Sequence, residues 1–201
     1  MKKIFGTIAA AMMMIGLSSC DGRQTLAKEI NGSWSASPDR ITETATMSTG
    51  VIRIINFVRT PSEAGGDLIM SSLVSVSSQL PRTDSVAQPV SMTASGIASI
   101  RGTWAAQDDD EIIVVLDAST FNVEVDSSAV VLTSNYVFNE STSDLATLKP
   151  SAVEMVRNQI TQAVRDDFFS IRKIDDIKIK DNMMSCEIND EDFTMRRQVT
   201  K

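Results

Sequence analysis

Residues 30–36 read Ile-Asn-Gly-Ser-Trp-Ser-Ala, and residues 100–106 read Ile-Arg-Gly-Thr-Trp-Ala-Ala. Both segments follow the pattern Ile-x-Gly-(Ser/Thr)-Trp-x-Ala and together contain both tryptophans of the chain. Glycine lets a strand approach another backbone closely, and a tryptophan two residues later covers one end of a core. The motif therefore predicts a β domain in which Trp34 and Trp104 are structural. An internal duplication, with related halves beginning at these motifs, and a coincidence in a Ser/Ala-rich chain explain the pair equally well.

Strand-like segments surround both motifs. Residues 51–59 read Val-Ile-Arg-Ile-Ile-Asn-Phe-Val-Arg, and residues 112–116 read Ile-Ile-Val-Val-Leu. Both segments are dense in the β-branched residues that strands favour. Residues 121–125 alternate apolar and polar side chains, as a half-buried strand does. Short strand-like segments separated by tight turns over 174–197 are typical of an antiparallel meander.

One helix interrupts these strands. Pro150-Ser151 provides a suitable helix start, because proline at the first turn has no N–H to leave unpaired. The apolar residues that follow lie at offsets 0, 3, 7, 11 and 15, which places them on one helix face: Val153, Val156, Ile160, Val164 and Phe168. We therefore predict a mainly β fold, an antiparallel barrel or β-sandwich, with one α-helix at about 150–169 followed by a β meander.

The composition excludes several classes of site. The 201 residues include no histidine, which excludes Ser-His-Asp and Cys-His nucleophiles and the common histidine-ligated zinc sites. The 19 basic and 26 acidic residues give a formal charge of −7. Nucleic-acid binding depends on clustered cations, so we predict no nucleic-acid partner. The hydrophobic content of 42% suits one soluble globular domain or two small ones.

The first twenty residues have the order of an export signal. Two lysines precede an apolar run from Ile4 to Gly16, which is too short to cross a bilayer as a stable helix. Residues 17–20, Leu-Ser-Ser-Cys, resemble the lipobox of bacterial lipoprotein precursors. The resemblance implies cleavage before Cys20 and a thioether-linked diacylglycerol on its sulfur, usually with acylation of the new amino group. The alternative is a plain signal peptide with an incidental cysteine.

Processing at this site divides the chain into a signal peptide (1–19), a lipidated polar tether (20–29) and a single β-rich domain (30–201). The mature chain then has 182 residues and a formal charge of −9, because two lysines leave with the signal. Cys186 remains as a lone thiol, so no internal disulfide stabilises the fold. It lies on a strand-like segment without a neighbouring base, which predicts a buried, unreactive thiol.

The β domain resembles the lipocalin-like proteins through its leading Gly-x-Trp strand, antiparallel strands and late helix. In that family the tryptophan lies at the closed end of a barrel against an arginine of the last strand. The resemblance implies that Arg197, which shares a strand face with Phe193 and Met195, stacks on Trp34 or Trp104. The chain as a whole resembles uncharacterised lipocalin-like bacterial envelope lipoproteins with an Asp-Asp-Asp-Glu turn and a terminal Arg-Arg hairpin. That resemblance implies no activity.

Few residues are candidates for chemistry. The run Asp108-Asp109-Asp110-Glu111 lacks the alternating acids and central glycine of an EF-hand loop, so we interpret it as a solvated turn and predict no metal site. The pairs Asp166-Asp167 and Asp175-Asp176 are interpreted as solvated faces. We predict no catalytic residues and no cofactor.

The sequence thus predicts a bacterial envelope protein, attached to a membrane through lipid on Cys20 at the outer membrane or the periplasmic face. Its expected role is non-enzymatic, either structural or in binding an envelope protein. The alternative is a lipocalin-like carrier of an apolar small molecule. A barrel filled by its own side chains favours the first role, and an open cavity favours the second.

Overall fold

A computed structural model describes residues 22–80, 90–134 and 142–198. Its elements in chain order are α1 (22–30), β1 (Gly32–Ala36), β2 (Asp39–Glu43), β3 (Met47–Arg59), β4 (Gly65–Leu80), β5 (Val90–Ala106), β6 (Ile112–Glu124), a 3-10 turn (Ser127–Ala129), β7 (Val131–Ser134), α2 (Thr142–Ser170), β8 (Lys173–Lys180), β9 (Met183–Ile188) and β10 (Glu191–Arg197). The mainly β prediction, with one long helix in the second half followed by a meander, is confirmed.

Eight antiparallel strands form a closed, barrel-like ring in the order β1-β10-β9-β8-β6-β5-β4-β3, and β3 returns to β1. The short strand β1 closes the ring, because it pairs with β10 along one edge and with β3 along the other. The pairing of β6 with β8 is the shortest, with Ile112 opposite Ile174 and Ile113 opposite Lys173. Strands β2 and β7 extend the sheet beyond the ring beside β3 and β5.

The helix α2 packs on the inner face of the long strands. In β5 the buried residues alternate along the strand, as the period of two requires: Val90, Met92, Ala94, Ala98 and Ile100. Gly96 lies within this row, and a Cβ placed there would meet Ile160 of α2 at 2.7 Å. Four residues of the predicted apolar stripe are buried, and Val153 is half-buried: Val156, Ile160, Val164 and Phe168.

The predicted start of this helix at Pro150 is wrong, because α2 already begins by Thr142. Proline inside a helix removes one backbone hydrogen bond and costs roughly 3 kcal/mol relative to alanine, which is why the sequence favoured a start there. Leu145 and Leu148, one turn before the proline, are half-buried in the folded chain. Burial of apolar surface before Pro150 offsets part of that cost.

Residues 22–30, which the sequence analysis assigned mostly to a polar tether, form the helix α1. Leu26, Ala27 and Ile30 are at most 3% exposed and belong to the main hydrophobic core. Their spacing of one, three and four residues places all three on one helix face. This segment is therefore part of the domain, and Cys20 and the signal peptide (1–19) lie outside the described residues.

Side chains fill the interior of the ring. Large residues from strands all around it are 0% exposed: Trp34, Ile55, Met70, Ile100, Ile112, Ile174, Met184 and Met195. A cavity large enough for a ligand would leave accessible surface on the side chains that line it. The ring is therefore a packed core, as in small barrels filled by their own residues. Among the described helices, none is long and apolar enough to span a bilayer.

Candidate functional site

The first Gly-x-Trp motif lies at the end of the ring beside α1. Trp34 of β1 is 0% exposed, and its indole N–H donates to the carbonyl of Ile30 at 2.7 Å. The guanidinium of Arg197 lies 4.2 Å from the centre of the Trp34 ring. Arg197 also donates to the backbone carbonyls of Glu29 and Asn31 at the end of α1. Arg197 thus joins the last strand, the tryptophan and α1, which is a structural role.

The second motif has a different setting. Trp104 lies inside β5, where its ring meets Phe57 edge-on at 5.5 Å between centroids. Its indole N–H is buried without a hydrogen-bond partner among the described residues. Gly32 begins β1 with a φ of +120°, whereas Gly102 lies within a 17-residue strand. Both motifs belong to one continuous sheet.

A cleft of about 650 Å³ opens between β3, β10, α2 and the segment that joins β1 to β2. We name it the Arg53 cleft, after the cation at its base. Its lining comprises Ala36, Ser37, Pro38, Asp39, Arg40, Ile41, Val51, Arg53, Ala163, Val164, Asp167, Glu191, Asp192, Phe193 and Thr194. A volume of this size is within the range of ligand-binding clefts.

Arg53 forms the polar centre of this cleft. Its guanidinium donates to the Asp167 carboxylate of α2 at 2.5 Å, and the exposed fractions of the two side chains are 13% and 34%. The same guanidinium lies 4.4 Å from the centre of the Phe193 ring. Its Nε is buried and has no hydrogen-bond partner among the described residues. This N–H is shielded from solvent, so it is an unsatisfied donor within the fold and not a contact offered to a ligand.

Two further polar side chains lie beside Arg53. Ser72 is directly opposite Arg53 in the β3–β4 pairing and is 0% exposed, with no partner for its hydroxyl among the described residues. Cys186 is opposite Phe193 in the β9–β10 pairing and is 3% exposed. Burial raises the pKa of the Cys186 thiol to about 12, although the charge of Arg53 acts in the opposite direction. The thiol therefore stays protonated at neutral pH and is a poor nucleophile.

The rim of the cleft is acidic. Two arginines and four carboxylates line it: Arg40, Arg53, Asp39, Asp167, Glu191 and Asp192. Arg40 is itself paired with Glu43 at 2.9 Å, outside the lining. The excess of negative charge, beside apolar walls such as Val51 and Phe193, favours a neutral or basic group over a free anion.

A larger groove, of about 1000 Å³, lies on the other side of α2, beside the gap between β6 and β7. Leu73 and Ile97, opposite each other on β4 and β5, are 39% and 48% exposed there. The charged residues in its lining are Glu124 and Asp126, which are exposed, and Arg157, whose side chain is 40% exposed. Since it lacks a buried convergent polar group, we favour the Arg53 cleft as the candidate site.

One residue of each acidic pair, Asp166 and Asp176, is exposed as predicted, whereas the other is half-buried in an ion pair. Asp167 pairs with Arg53, and Asp175 pairs with Lys173, whose pKa this hydrogen bond raises. The turn at Asp108-Asp109-Asp110 is exposed. Within the described residues, no group of three or more acidic or cysteine side chains is arranged to hold a metal ion.

Arg53 was not predicted as a site residue, although the sequence pattern around it contains a signal. Arg53 lies between Val51 and Ile55 at the same alternation, and both neighbours are buried. A charge on the inward row of an apolar strand needs a partner, because burial of an unpaired charge is costly. The partner lies 114 residues away, so the sequence pattern marks the position and the fold supplies Asp167.

No family model and no curated protein sequence matches this chain. The functional interpretation therefore rests on the residues of the Arg53 cleft and on the N-terminal sequence.

The two halves of the ion pair differ in burial, and this predicts unequal effects of substitution. We expect Asp167→Asn to lower the free energy of unfolding by about 2 kcal/mol and Arg53→Met to lower it by about 1 kcal/mol. Both values are smaller than the loss expected for a fully buried ion pair, because this pair is partly exposed. The guanidinium cannot lose its charge, whereas the more exposed Asp167 can be rehydrated. Urea denaturation of both variants measures the difference.

The double variant Arg53→Met/Asp167→Asn tests the coupling. Its loss in free energy of unfolding should be at most half of the sum of the two single losses, because neither charge is then left unpaired. Strictly additive losses would contradict an energetic link between β3 and α2. Glu154→Gln, which removes an exposed ion pair with Arg157 on the same helix, is the matched control and should change stability by less than about 0.5 kcal/mol.

Proposed function

We propose that this chain is a lipid-anchored bacterial envelope lipoprotein with a non-enzymatic binding role, and that the Arg53 cleft is its binding surface. The lipid anchor is inferred from Leu-Ser-Ser-Cys at residues 17–20, which follows two lysines and an apolar run of export-signal length. The lipid on Cys20 would keep the protein on the membrane, because two or more acyl chains anchor a protein stably.

Because side chains fill the ring, a surface cleft is a better candidate for the binding site than an internal cavity. A carrier of the lipocalin type needs interior space of at least about 300 Å³. The space available to a ligand here lies outside the core, in open clefts against α2. In the Arg53 cleft, an excess of carboxylates lies beside an aromatic ring and apolar walls. This combination suits a peptide segment with neutral or basic side chains, which an envelope protein would supply.

A non-enzymatic role fits the protonation state of the cleft. The Cys186 thiol is protonated and buried, and the chain has no histidine to deprotonate it. The charge of Arg53 is compensated by Asp167. The carboxylates of Asp39, Glu191 and Asp192 line the cleft, but the Cys186 thiol beside it is not an activated nucleophile.

The anchor predicts that Cys20→Ala abolishes lipid attachment. Cells grown with labelled palmitate should label the wild-type protein, and the label should be lost completely in Cys20→Ala because the acceptor sulfur is gone. Cys186→Ser is the matched control: it removes the other cysteine of the chain and should retain full labelling. Label on the Cys20→Ala protein, or none on the wild type, would refute the proposed anchor.

Because side chains fill the interior, we expect the protein to purify without a bound apolar ligand. Native mass spectrometry of a chain that starts at residue 21 should give the mass of the polypeptide alone. A stoichiometric lipid that remains bound under these conditions would favour the carrier role instead. An open-cavity lipocalin of known ligand, treated in parallel, controls for loss of ligand during ionisation.

A further inference from the structure

We infer that the domain sits on the bilayer with its α1 end facing the lipid, so that the Arg53 cleft opens into the aqueous phase. The α1 end comprises α1, the β3–β4 turn (60–64) and the β5–β6 turn (107–111). This orientation rests on the proposed lipid anchor at Cys20. It adds to that proposal by naming which surface meets the membrane and from which side a partner reaches the cleft.

The helix α1 is held firmly against the ring. Its apolar face, Leu26, Ala27 and Ile30, is buried in the core. At its other side, Arg59 of β3 donates to the side-chain oxygen of Gln24 at 2.7 Å. The hydrogen bonds from Arg197 to backbone carbonyls fix the C-terminal end of the helix. The position of the first residue of α1 therefore follows from the fold.

The start of α1 lies on the two turns at this end. A Cβ placed on Gly22 would lie 3.0 Å from the Cβ of Asp109 in the β5–β6 turn. Gln24 donates to the carbonyl of Ser62 in the β3–β4 turn at 3.4 Å. The β3–β4 turn is also joined to the end of β5, because the N–H of Ala106 donates to the carbonyl of Ala64 at 2.7 Å. Gly22 is therefore located at the edge of the barrel-like ring.

The covalent chain limits how far this end can lie from the lipid. One residue, Asp21, separates Gly22 from Cys20. Two extended residues span at most about 7 Å, so the lipidated residue stays within that distance of the start of α1. The acyl chains of Cys20 must enter the hydrocarbon region, and the α1 end is consequently held at the headgroups.

The strands run away from this end. Arg53 lies six residues along β3 from Arg59, about 20 Å of strand length at 3.3 Å per residue, so the cleft lies farther from the bilayer than the α1 end does. At the far end, Gln79 of β4 donates to the carbonyl of Thr46 in the β2–β3 turn, about 45 Å of strand length from Gly65. A partner therefore approaches the cleft from the aqueous compartment.

The charge of the α1 end agrees with an anchor that depends on lipid alone. Six acidic residues lie at this end, against the two basic residues Arg23 and Lys28 of α1, which gives an excess of four negative charges: Glu29, Glu63, Asp108, Asp109, Asp110 and Glu111. Carboxylates repel anionic headgroups, so this surface gains nothing from them electrostatically. Phosphatidylcholine vesicles are therefore the appropriate test membrane, because their headgroups have no net charge and do not repel the carboxylates at the α1 end.

Depth-dependent quenching tests the orientation on the full lipidated chain. Asp109→Cys and Ala45→Cys each place one reactive thiol on an exposed turn, at the α1 end and at the far end. Cys186 stays unlabelled at neutral pH, since its thiol is buried and protonated. Each variant is labelled with a small fluorophore in detergent and reconstituted into phosphatidylcholine vesicles containing headgroup spin-labelled lipid.

We expect the label at 109 to be quenched at least threefold more strongly than the label at 45. Glu63→Cys, a second exposed position at the α1 end, should behave like Asp109→Cys and guards against a local effect of one substitution. Equal quenching at 109 and 45, or stronger quenching at 45, in protein that floats with the vesicles would overturn the orientation alone. Failure of the wild-type chain to float with the vesicles would overturn the anchor itself and the orientation with it.

Discussion

Replacement of Trp34 by alanine should lower the free energy of unfolding by about 4 kcal/mol, the largest loss we expect from a single side chain of this protein. Trp34 is completely buried, and its ring lies between the core and the guanidinium of Arg197. Truncation removes the transfer free energy of the ring and leaves a void beside α1, because the strands that frame it cannot close in. Thermal and urea denaturation followed by circular dichroism measure the loss.

The conservative variants distinguish the two tryptophans. Trp34→Phe removes the hydrogen bond to the Ile30 carbonyl and leaves that carbonyl without its partner, so it should cost about 2 kcal/mol. Trp104→Phe removes an indole N–H that has no partner among the described residues, and it should cost about 1 kcal/mol less. A larger loss for Trp104→Phe than for Trp34→Phe would contradict the structural role assigned to the first motif.

Gly102→Ala should destabilise the fold by about 3 kcal/mol, although it adds one methyl group. A Cβ at this position would lie 2.2 Å from the carbonyl oxygen of Val115 and 2.9 Å from the Cα of Leu116. Both atoms belong to the backbone of β6, which is paired with β5 at this point. The contact can be relieved only by separation of the two strands, which disturbs their hydrogen bonds near the bulge between Ser99 and Arg101.

Gly50→Ala is the matched control for this prediction. Gly50 also lies within a long strand of the ring, but the nearest atom to an added Cβ is the Ser75 hydroxyl at 2.9 Å. That hydroxyl can rotate away, and alanine restricts the unfolded chain more than glycine does. Gly50→Ala should therefore change the stability by less than about 1 kcal/mol. Equal losses in the two variants would show that glycine is favoured at 102 for reasons other than close backbone approach.

Much of the secondary structure could be predicted because it depends on short sequence spacings. The two-residue alternation at the end of β6 and the three- and four-residue spacing in α2 are local, and each correctly identified its element. The turn at Asn189-Asp190, where both residues have positive φ, carries the side chains that tolerate this conformation. Boundaries were less accurate: α1 and the first two turns of α2 were missed because tertiary burial, rather than a helix-start signal, stabilises them.

The candidate site depended on contacts between distant segments. Arg53 was visible as a charge within an apolar strand, but its ion pair with Asp167 brings together residues 114 positions apart. The acidic pair that includes Asp167 was interpreted as solvated, since nothing in its neighbourhood indicates a buried cation. Ser72 and Cys186 likewise lie beside Arg53 only through strand pairing, and both are buried behind the cleft lining. Pairing partners are chosen by the whole sheet and not by local spacing.

The sequence by itself determined the class of the fold and the order of most strands and the helix, because each rests on a contiguous pattern, and it is also the basis on which lipid attachment at Cys20 is proposed. Only the tertiary structure decided that β1 closes the ring between β10 and β3, that side chains fill the interior, and that α1 begins beside Asp109. The physical reason is that ring closure and core filling depend on how distant strands share one limited volume, and close packing admits few arrangements.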